Sequence, residues 1–216
     1  RKLAADGAVA DAMTVSNPAI TWPCHTSLIT GATPRKHGVL FNGLLVRQGT
    51  NKPPKLEPWV DKSKLVFMPT LYDVAHAAGL TTAESDWVAV TRPGTIAWSF
   101  GELPDPESTV VREMLAAGEL TPEELAGMRP GGGERRKTIW RDNLWTRGAA
   151  FMFRQHKPNL LLYHTLNTDG IHHRYGPNTD PSFTALAYAD RLLGDLIRTV
   201  DETGLRDKTT FIVTTD

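Results

Sequence analysis

The sequence has a single cysteine, no excess charge of either sign, no internal repeat and no apolar run long enough to cross a membrane. Each absence excludes something. With Cys24 alone no intramolecular disulfide forms, and the compartment has to be read from other features. The 24 Lys and Arg residues are matched by 24 Asp and Glu. No global field therefore argues for nucleic acid or an anionic membrane as partner, while a local anion site remains compatible with neutrality. No stretch approaches the roughly 20 apolar residues of a membrane span, and no signal peptide is visible. The chain starts at Arg1 rather than Met and stops just after an apolar run. It is therefore expected to be a fragment, with any signal in residues that precede it. Its 216 residues suit one large domain with a sizeable core, and nothing marks a second domain.

What is present is an alternation of helix and strand signals. Arg1 to Gly7 reads as the last turn of a helix, and Ala8 to Val15 as an extended segment. Pro23 suits the first turn of a helix that Gly31 stops, so Thr21 lies where backbone N–H groups and the helix dipole converge. Val39-Leu40-Phe41 reads as a short strand ending at the Asn42-Gly43 turn, and residues 47–64 as a surface excursion. A helix opened by Pro69 and closed by Gly79 precedes a strand over 81–87. Residues 92–136 carry Pro93, Pro104, Pro106 and Pro130 besides Gly131-Gly132-Gly133, around one short helix at 121–128. They are the least patterned stretch, expected over the sheet edge or the site mouth.

Regularity returns with a helix marked by Trp140, Leu144, Gly148 and Phe151. A continuously apolar strand follows at Leu160 to Tyr163, of the kind buried on both faces of a parallel sheet. A polar loop is expected over 167–180. Next comes a long helix with Phe183, Leu186, Leu193, Ile197 and Val200 on its apolar face, and then a buried strand at Phe211-Ile212-Val213. The fold class is α/β with a mainly parallel sheet.

Three polar clusters lie beside or after inferred strands: Thr21 with Asn42, Asp169 with His173, and Asp216. Ligands of open α/β sheets bind beyond the carboxyl ends of strands, where the last two fall. Carboxylates and imidazoles are also the donors that hold zinc and similar ions.

The sequence resembles the alkaline phosphatase superfamily and, within it, the type I phosphodiesterase and nucleotide pyrophosphatase family. Three motifs carry the resemblance. The first is Thr21-Trp22-Pro23-Cys24-His25 running on to Thr30-Gly31, with Pro34, His37-Gly38 and Asn42 downstream. The second runs from Asp169 through Gly170, His172 and His173 to Arg174-Tyr175-Gly176-Pro177, and the third is Phe211-Ile212-Val213-Thr214-Thr215-Asp216.

The resemblance implies a three-layer alkaline-phosphatase-like fold, incomplete in this chain, with residues 1–216 as the N-terminal part of one catalytic domain and 92–136 as an irregular insertion or cap. It also implies hydrolysis of phosphodiester or pyrophosphate bonds of nucleotide-type, small-molecule phosphate esters with two Zn²⁺, other divalent metals being alternatives. A phosphomonoesterase, a phosphonate hydrolase of the same superfamily and a catalytically incomplete homologue are the other readings.

By the same resemblance, Thr21 is the nucleophile, held by one metal and forming a covalent phosphothreonine. Asn42 binds a phosphoryl oxygen, Asp169 and His173 are ligands of the second metal, Asp216 is a ligand of the first, and Trp22 is an aromatic for stacking a base. Family members of this kind suggest a periplasmic or extracellular setting; oligomeric state is left open. Two departures stand out: Cys24 replaces the usual asparagine, and His172 stands where a glycine usually precedes the ligand histidine. The remaining metal ligands are expected outside residues 1–216, so neither metal site is expected to be complete.

Each residue has a plainer reading. Thr21 alone would be a helix N-cap, Asn42 before Gly43 turn chemistry, Trp22 a core aromatic and Asp216 a chain-end carboxylate. His172 is more readily solvated than ligating, Cys24 reads as a small buried residue, and His25 and His37 as structural.

Overall fold

The computed structural model describes residues 2–129 and 137–216; Pro130 and the three glycines after it lie outside them. The chain opens with α1 (Lys2–Asp6), α2 (Thr21–Thr30) and α3 (Pro34–His37), followed by the strands β1 (Leu44–Val46) and β2 (Lys55–Glu57). After α4 (Lys62–Leu65) and α5 (Leu71–Ala77) come β3 (Thr82–Ser85), β4 (Trp98–Phe100), α6 (Thr109–Ala116) and α7 (Pro122–Met128). Helix α8 (Thr138–His156), strand β5 (Leu160–Tyr163), and helices α9 (Asn167–Tyr175) and α10 (Asp180–Glu202) follow, with a 3-10 turn at Arg206–Lys208 after them. Among the described residues no helix is long and apolar enough to cross a membrane.

The central sheet has the order β4-β3-β5, all parallel, and β1 pairs with β2 in a separate antiparallel ribbon. Side chains alternate across the sheet as a period of two requires. Ala83, Phe100, Leu161 and Tyr163 face α6 and α8, in a core with Val111, Met114, Trp145 and Met152. On the opposite face Leu160 and Leu162 meet Ile29 of α2 and Tyr72 of α5. Helices thus cover both faces, and the α/β class with a parallel sheet expected from the sequence is what the chain forms.

Local chemistry explains where helices start. Thr70 accepts the Asp73 N–H while the Asp73 carboxylate accepts the Thr70 N–H, a capping box repeated by Thr121 and Glu124 at α7. Gly31 closes α2 in the left-handed region at φ 63°.

Several expectations are corrected. The strand predicted at 39–41 lies just beyond it, because Val39 is buried against Trp22 and Leu65 and a partner strand is available only to Leu44–Val46. That partner, β2, and α4 both come from the predicted excursion. Of the 92–136 stretch, residues 130–136 lie outside the described residues, and the described part, 92–129, is not an irregular cap: it supplies the sheet strand β4 and two helices packed in the main core. Its signal is weak because β4 is three residues long and held by pairing, not by pattern.

The predicted polar loop at 167–180 begins as α9, since the Asp142 carboxylate of α8 accepts the N–H groups of Leu166 at 2.9 Å and Asn167 at 3.0 Å. A cap supplied from another helix leaves no local signature. The buried face of α10 is Ser182, Ala185, Leu192, Leu196, Thr199 and Val200, whereas Phe183 and Leu186 are exposed. Phe211-Ile212-Val213 forms no strand, and Ile212 is 85% exposed, because no described strand lies beside it to complete the pairing.

Two helix glycines should respond oppositely to alanine. At Gly148 a Cβ would stand 2.6 Å from the fully buried Phe100 ring, whereas at Gly194 it would meet nothing within 4 Å. Overpacking of about 1–3 kcal/mol should outweigh the helix gain of about 1 kcal/mol at the first site only. Urea unfolding is expected to show Gly148→Ala destabilised and Gly194→Ala stabilised.

Candidate active site

Helix α2 begins at Thr21, with Ile20 in the N-cap position and no side-chain cap of its own. The Trp22 N–H donates instead to Asn42 Oδ1 at 3.0 Å, across twenty residues of sequence. Pro23 has no N–H, and the Cys24 N–H already donates to the Ile20 carbonyl at 3.0 Å. The N–H donors expected to converge at this terminus therefore reduce to that of Thr21, which has no partner among the described residues. Because Asn42 turns its carbonyl oxygen to Trp22, its Nδ2 hydrogens face away and are available as donors. The Thr21 hydroxyl likewise has no hydrogen-bond partner among the described residues.

The loop that delivers Asn42 is anchored by His37. Its Nδ1 accepts the Val39 N–H at 3.2 Å, so Nε2 carries the proton and donates to Ser27 Oγ of α2 at 3.0 Å. Burial lowers the His37 pKa, in keeping with a neutral ring. Gly43 is required beside Asn42: at φ 130° a Cβ would lie 2.8 Å from the Pro58 Cα.

His25, one turn after Thr21, is 4% exposed, and its Nδ1 lies 2.9 Å from the Thr21 carbonyl and 3.5 Å from Asp216 Oδ2. Burial, aided by the neighbouring His164, pushes its pKa down to about 4 against the pull of Asp216 and the Thr21 carbonyl. Asp86 follows β3 directly and His164 follows β5, so adjacent parallel strands bring them together, with His164 Nδ1 2.9 Å from Asp86 Oδ2. Burial works against charge on His164, yet the hydrogen bond and charge of Asp86 leave its pKa raised. The His164 ring stands edge-on to His25 with centroids 4.7 Å apart, and Trp87 does the same from another side at 4.7 Å.

Sequence reasoning treated His25 as structural and did not single out Asp86 or His164. The available signal was position: both follow a strand of the sheet.

Asp169 and His173 sit one turn apart on α9, where His173 Nε2 lies 3.2 Å from Asp169 Oδ1 on an exposed face. No hydrogen bond or ion pair among the described residues joins them to Thr21 or Asp216. His172 Nε2 lies 2.8 Å from the buried Ser182 Oγ and ties α9 to α10. Trp22 is 7% exposed, packed with Val39, Leu65 and Val66 and edge-on to Trp59 at 6.3 Å, so it sits as a core aromatic. Cys24 is buried near Ser16. Among the described residues no group of three or more His, Cys, Asp or Glu side chains is placed to hold a metal ion. Asp169 with His173, and Asp216 with Thr21, match zinc in donor type but not in number.

The fold is alkaline-phosphatase-like. The chain superimposes on phosphonoacetate hydrolase from Sinorhizobium meliloti 1021 in complex with phosphonoformate, with a TM-score of 0.59 and 19% identity over 88% of this chain and 44% of that one. The phosphonoacetate complex gives a TM-score of 0.55 at 18% identity, over 84% of this chain and 42% of that one. Residues 1–216 match the type I phosphodiesterase / nucleotide pyrophosphatase family, and the chain belongs to it. Ectonucleotide pyrophosphatase/phosphodiesterase family member 7 is 25% identical in Homo sapiens and 23% in Mus musculus, each over 99% of this chain. The chain spans 42% of the human protein and 43% of the mouse one, less than half the length of either.

One titration reports on the floor of this site. Glu84 is fully buried, accepting from the Ser99 hydroxyl and from the Trp87 N–H at 2.9 Å, and burial pushes its pKa up from 4.5 to about 7. The folded chain keeps this proton up to about pH 7 while the unfolded chain releases it near 4.5, so stability falls as pH rises between the two. Gln at this position keeps an oxygen for Trp87 and lets the Ser99 hydroxyl accept. Glu84→Gln should remove on the order of 3 kcal/mol of pH dependence, read as a flatter urea midpoint from pH 5 to 8.

Proposed function

We propose that the protein hydrolyses phosphodiester or pyrophosphate bonds of small, nucleotide-type phosphate esters, with Thr21 as nucleophile. One observation carries the reading: Thr21 does not do the capping work that its place at a helix start would otherwise explain. Asn42 satisfies the next N–H, and the Thr21 hydroxyl is left without a partner among the described residues. A threonine relieved of its structural task, beside a free backbone donor and a free amide, has the parts needed to attack an anionic phosphorus centre.

In the proposed reaction Thr21 gives up its hydroxyl proton as the Oγ–P bond forms in line with the breaking bond to the leaving oxygen, which departs and takes up a proton. The Thr21 N–H and the Asn42 amide hold the equatorial oxygens as charge builds on them. Water then attacks phosphorus and frees Thr21. Two divalent ions, zinc in the first instance, belong to the proposal, with Asp216 and Thr21 as donors to one and Asp169 and His173 to the other. Such ions supply a lowered hydroxyl pKa and neutralise charge on the leaving oxygen when bound.

The burial of Trp22 favours a second reading, hydrolysis of phosphomonoesters or phosphonates, because an indole 7% exposed offers a base no face on which to stack. Relative rates on a nitrophenyl phosphodiester, the monoester and a phosphonate separate the two.

Thr21→Ala in the full-length enzyme should lower kcat by about 1,000-fold or more and leave the melting temperature unchanged, since no described hydrogen bond of the fold uses the hydroxyl. Retention of most diesterase activity would overturn the mechanism. Asn42→Asp keeps the acceptor for Trp22 while placing negative charge against the substrate. It should preserve stability to within about 0.5 kcal/mol while turnover drops by about 100-fold.

A further inference from the structure

We infer that His25 is a positioning residue, whose Nδ1–H ties the Asp216 carboxylate to the first turn of α2. The inference rests on the reading of Thr21 as nucleophile. Nδ1 faces two acceptors, the Thr21 carbonyl at 2.9 Å and Asp216 Oδ2 at 3.5 Å. Both are oxygens that only accept, so the ring proton is on Nδ1; it is hydrogen-bonded to the Thr21 carbonyl and lies beside the Asp216 carboxylate, which attracts it electrostatically. One nitrogen thus joins the backbone of the candidate nucleophile to the carboxylate that the third motif carries.

Among the described residues few other contacts reach Asp216. The segment before it forms no strand, Ile212 and Val213 are 85% and 66% exposed, and Thr214 reaches only the exposed Met13 sulfur. Arg206 stacks on Phe211, five residues short of the carboxylate. His25 is the one described partner of the Asp216 side chain in an ion pair or hydrogen bond.

The His25 ring, by contrast, is held on several sides. Trp87 and His164 meet it edge-on, at interplanar angles of 70° and 81°, and His164 is itself fixed by Asp86. The loop that supplies Asp86 and Trp87 places three non-glycine residues in the left-handed region, Asp86 at φ 56°, Ala89 at 58° and Arg92 at 46°. Such strain persists where surrounding packing over-determines the backbone, and it collects at functional sites. Asp86, His164 and Trp87 therefore form a rigid backing that aims His25 Nδ1, and His25 in turn sets where Asp216 stands relative to Thr21.

The test uses two substitutions in the full-length chain that separate the ring from its N–H. His25→Phe keeps the packing against Trp87 and His164 and loses the donor; His25→Asn keeps a donor near Nδ1 and loses the ring. Crystal structures of both variants and kinetics on a nitrophenyl phosphodiester are the readouts. In His25→Phe, Asp216 is expected to move away from the α2 terminus and kcat to fall by about 10- to 100-fold with KM within about threefold, the loss that misplacement produces. In His25→Asn, Asp216 is expected to stay in place and most of that loss to be recovered.

The reverse ranking, or an unmoved Asp216 in His25→Phe, would overturn the inference, because His25 would then act by packing alone. His25→Met takes the place of the phenylalanine variant should that fail to fold. A wild-type enzyme without activity on the diester, the monoester or the phosphonate would overturn the reading of Thr21, and the position of Asp216 in the variant structures would still decide the role of His25.

Discussion

The central strand β3 carries Thr82, Glu84 and Ser85 into the interior, and the structure around it is arranged so that none of them is left without a partner. Thr82 donates to the Thr95 carbonyl at 2.7 Å, Ser85 to the Trp145 carbonyl at 2.7 Å, and Glu84 receives Ser99 and the Trp87 N–H. Buried polar groups without such partners cost far more than a partnered one returns, so these contacts act as constraints on neighbours. They set β4 beside β3, hold α8 against the sheet through Trp145, and turn the chain at Trp87 toward α2. Asp86 and His164 then meet because their strands run parallel in register, Ser85 opposite Tyr163.

The candidate site is assembled at that carboxyl edge from pieces with different supports. Thr21 rests on a helix start whose cap comes from Asn42, and Asn42 is delivered by a loop pinned through His37 and Ser27. Asp169 and His173 rest on a helix whose N-terminus is capped by Asp142, a residue of α8. The two halves are thus oriented by separate hydrogen bonds, each from a side chain distant in sequence. That division leaves the Thr21 half the better buried, while the Asp169 and His173 pair stays open to solvent.

Much of this was legible beforehand, and the exceptions share a cause. The helices over 21–30 and 138–156 and the strand Leu160–Tyr163 follow from glycine and proline punctuation and apolar periodicity, which act within a few residues. Strand β4 and helix α9 escaped because one depends on pairing with β3 and the other on a carboxylate from another helix. On α10 the apolar residues Phe183 and Leu186 suggested a face that packing did not use, since the turn at Ser182 and Ala185 is what meets the rest of the fold. Asp86 and His164 lack any local pattern: they become neighbours only across 78 residues of sequence.

Local patterns in the chain suffice for the family, the α/β alternation and the candidate site residues, because short motifs and periodicity are properties of neighbouring residues. Tertiary structure alone decided that Thr21 caps nothing, that Trp22 lies in the core, that α9 is a helix, and that His25 stands between Thr21 and Asp216. Each of these depends on which distant group supplies a hydrogen bond or fills a volume, and that is a property of the folded packing rather than of any stretch of residues.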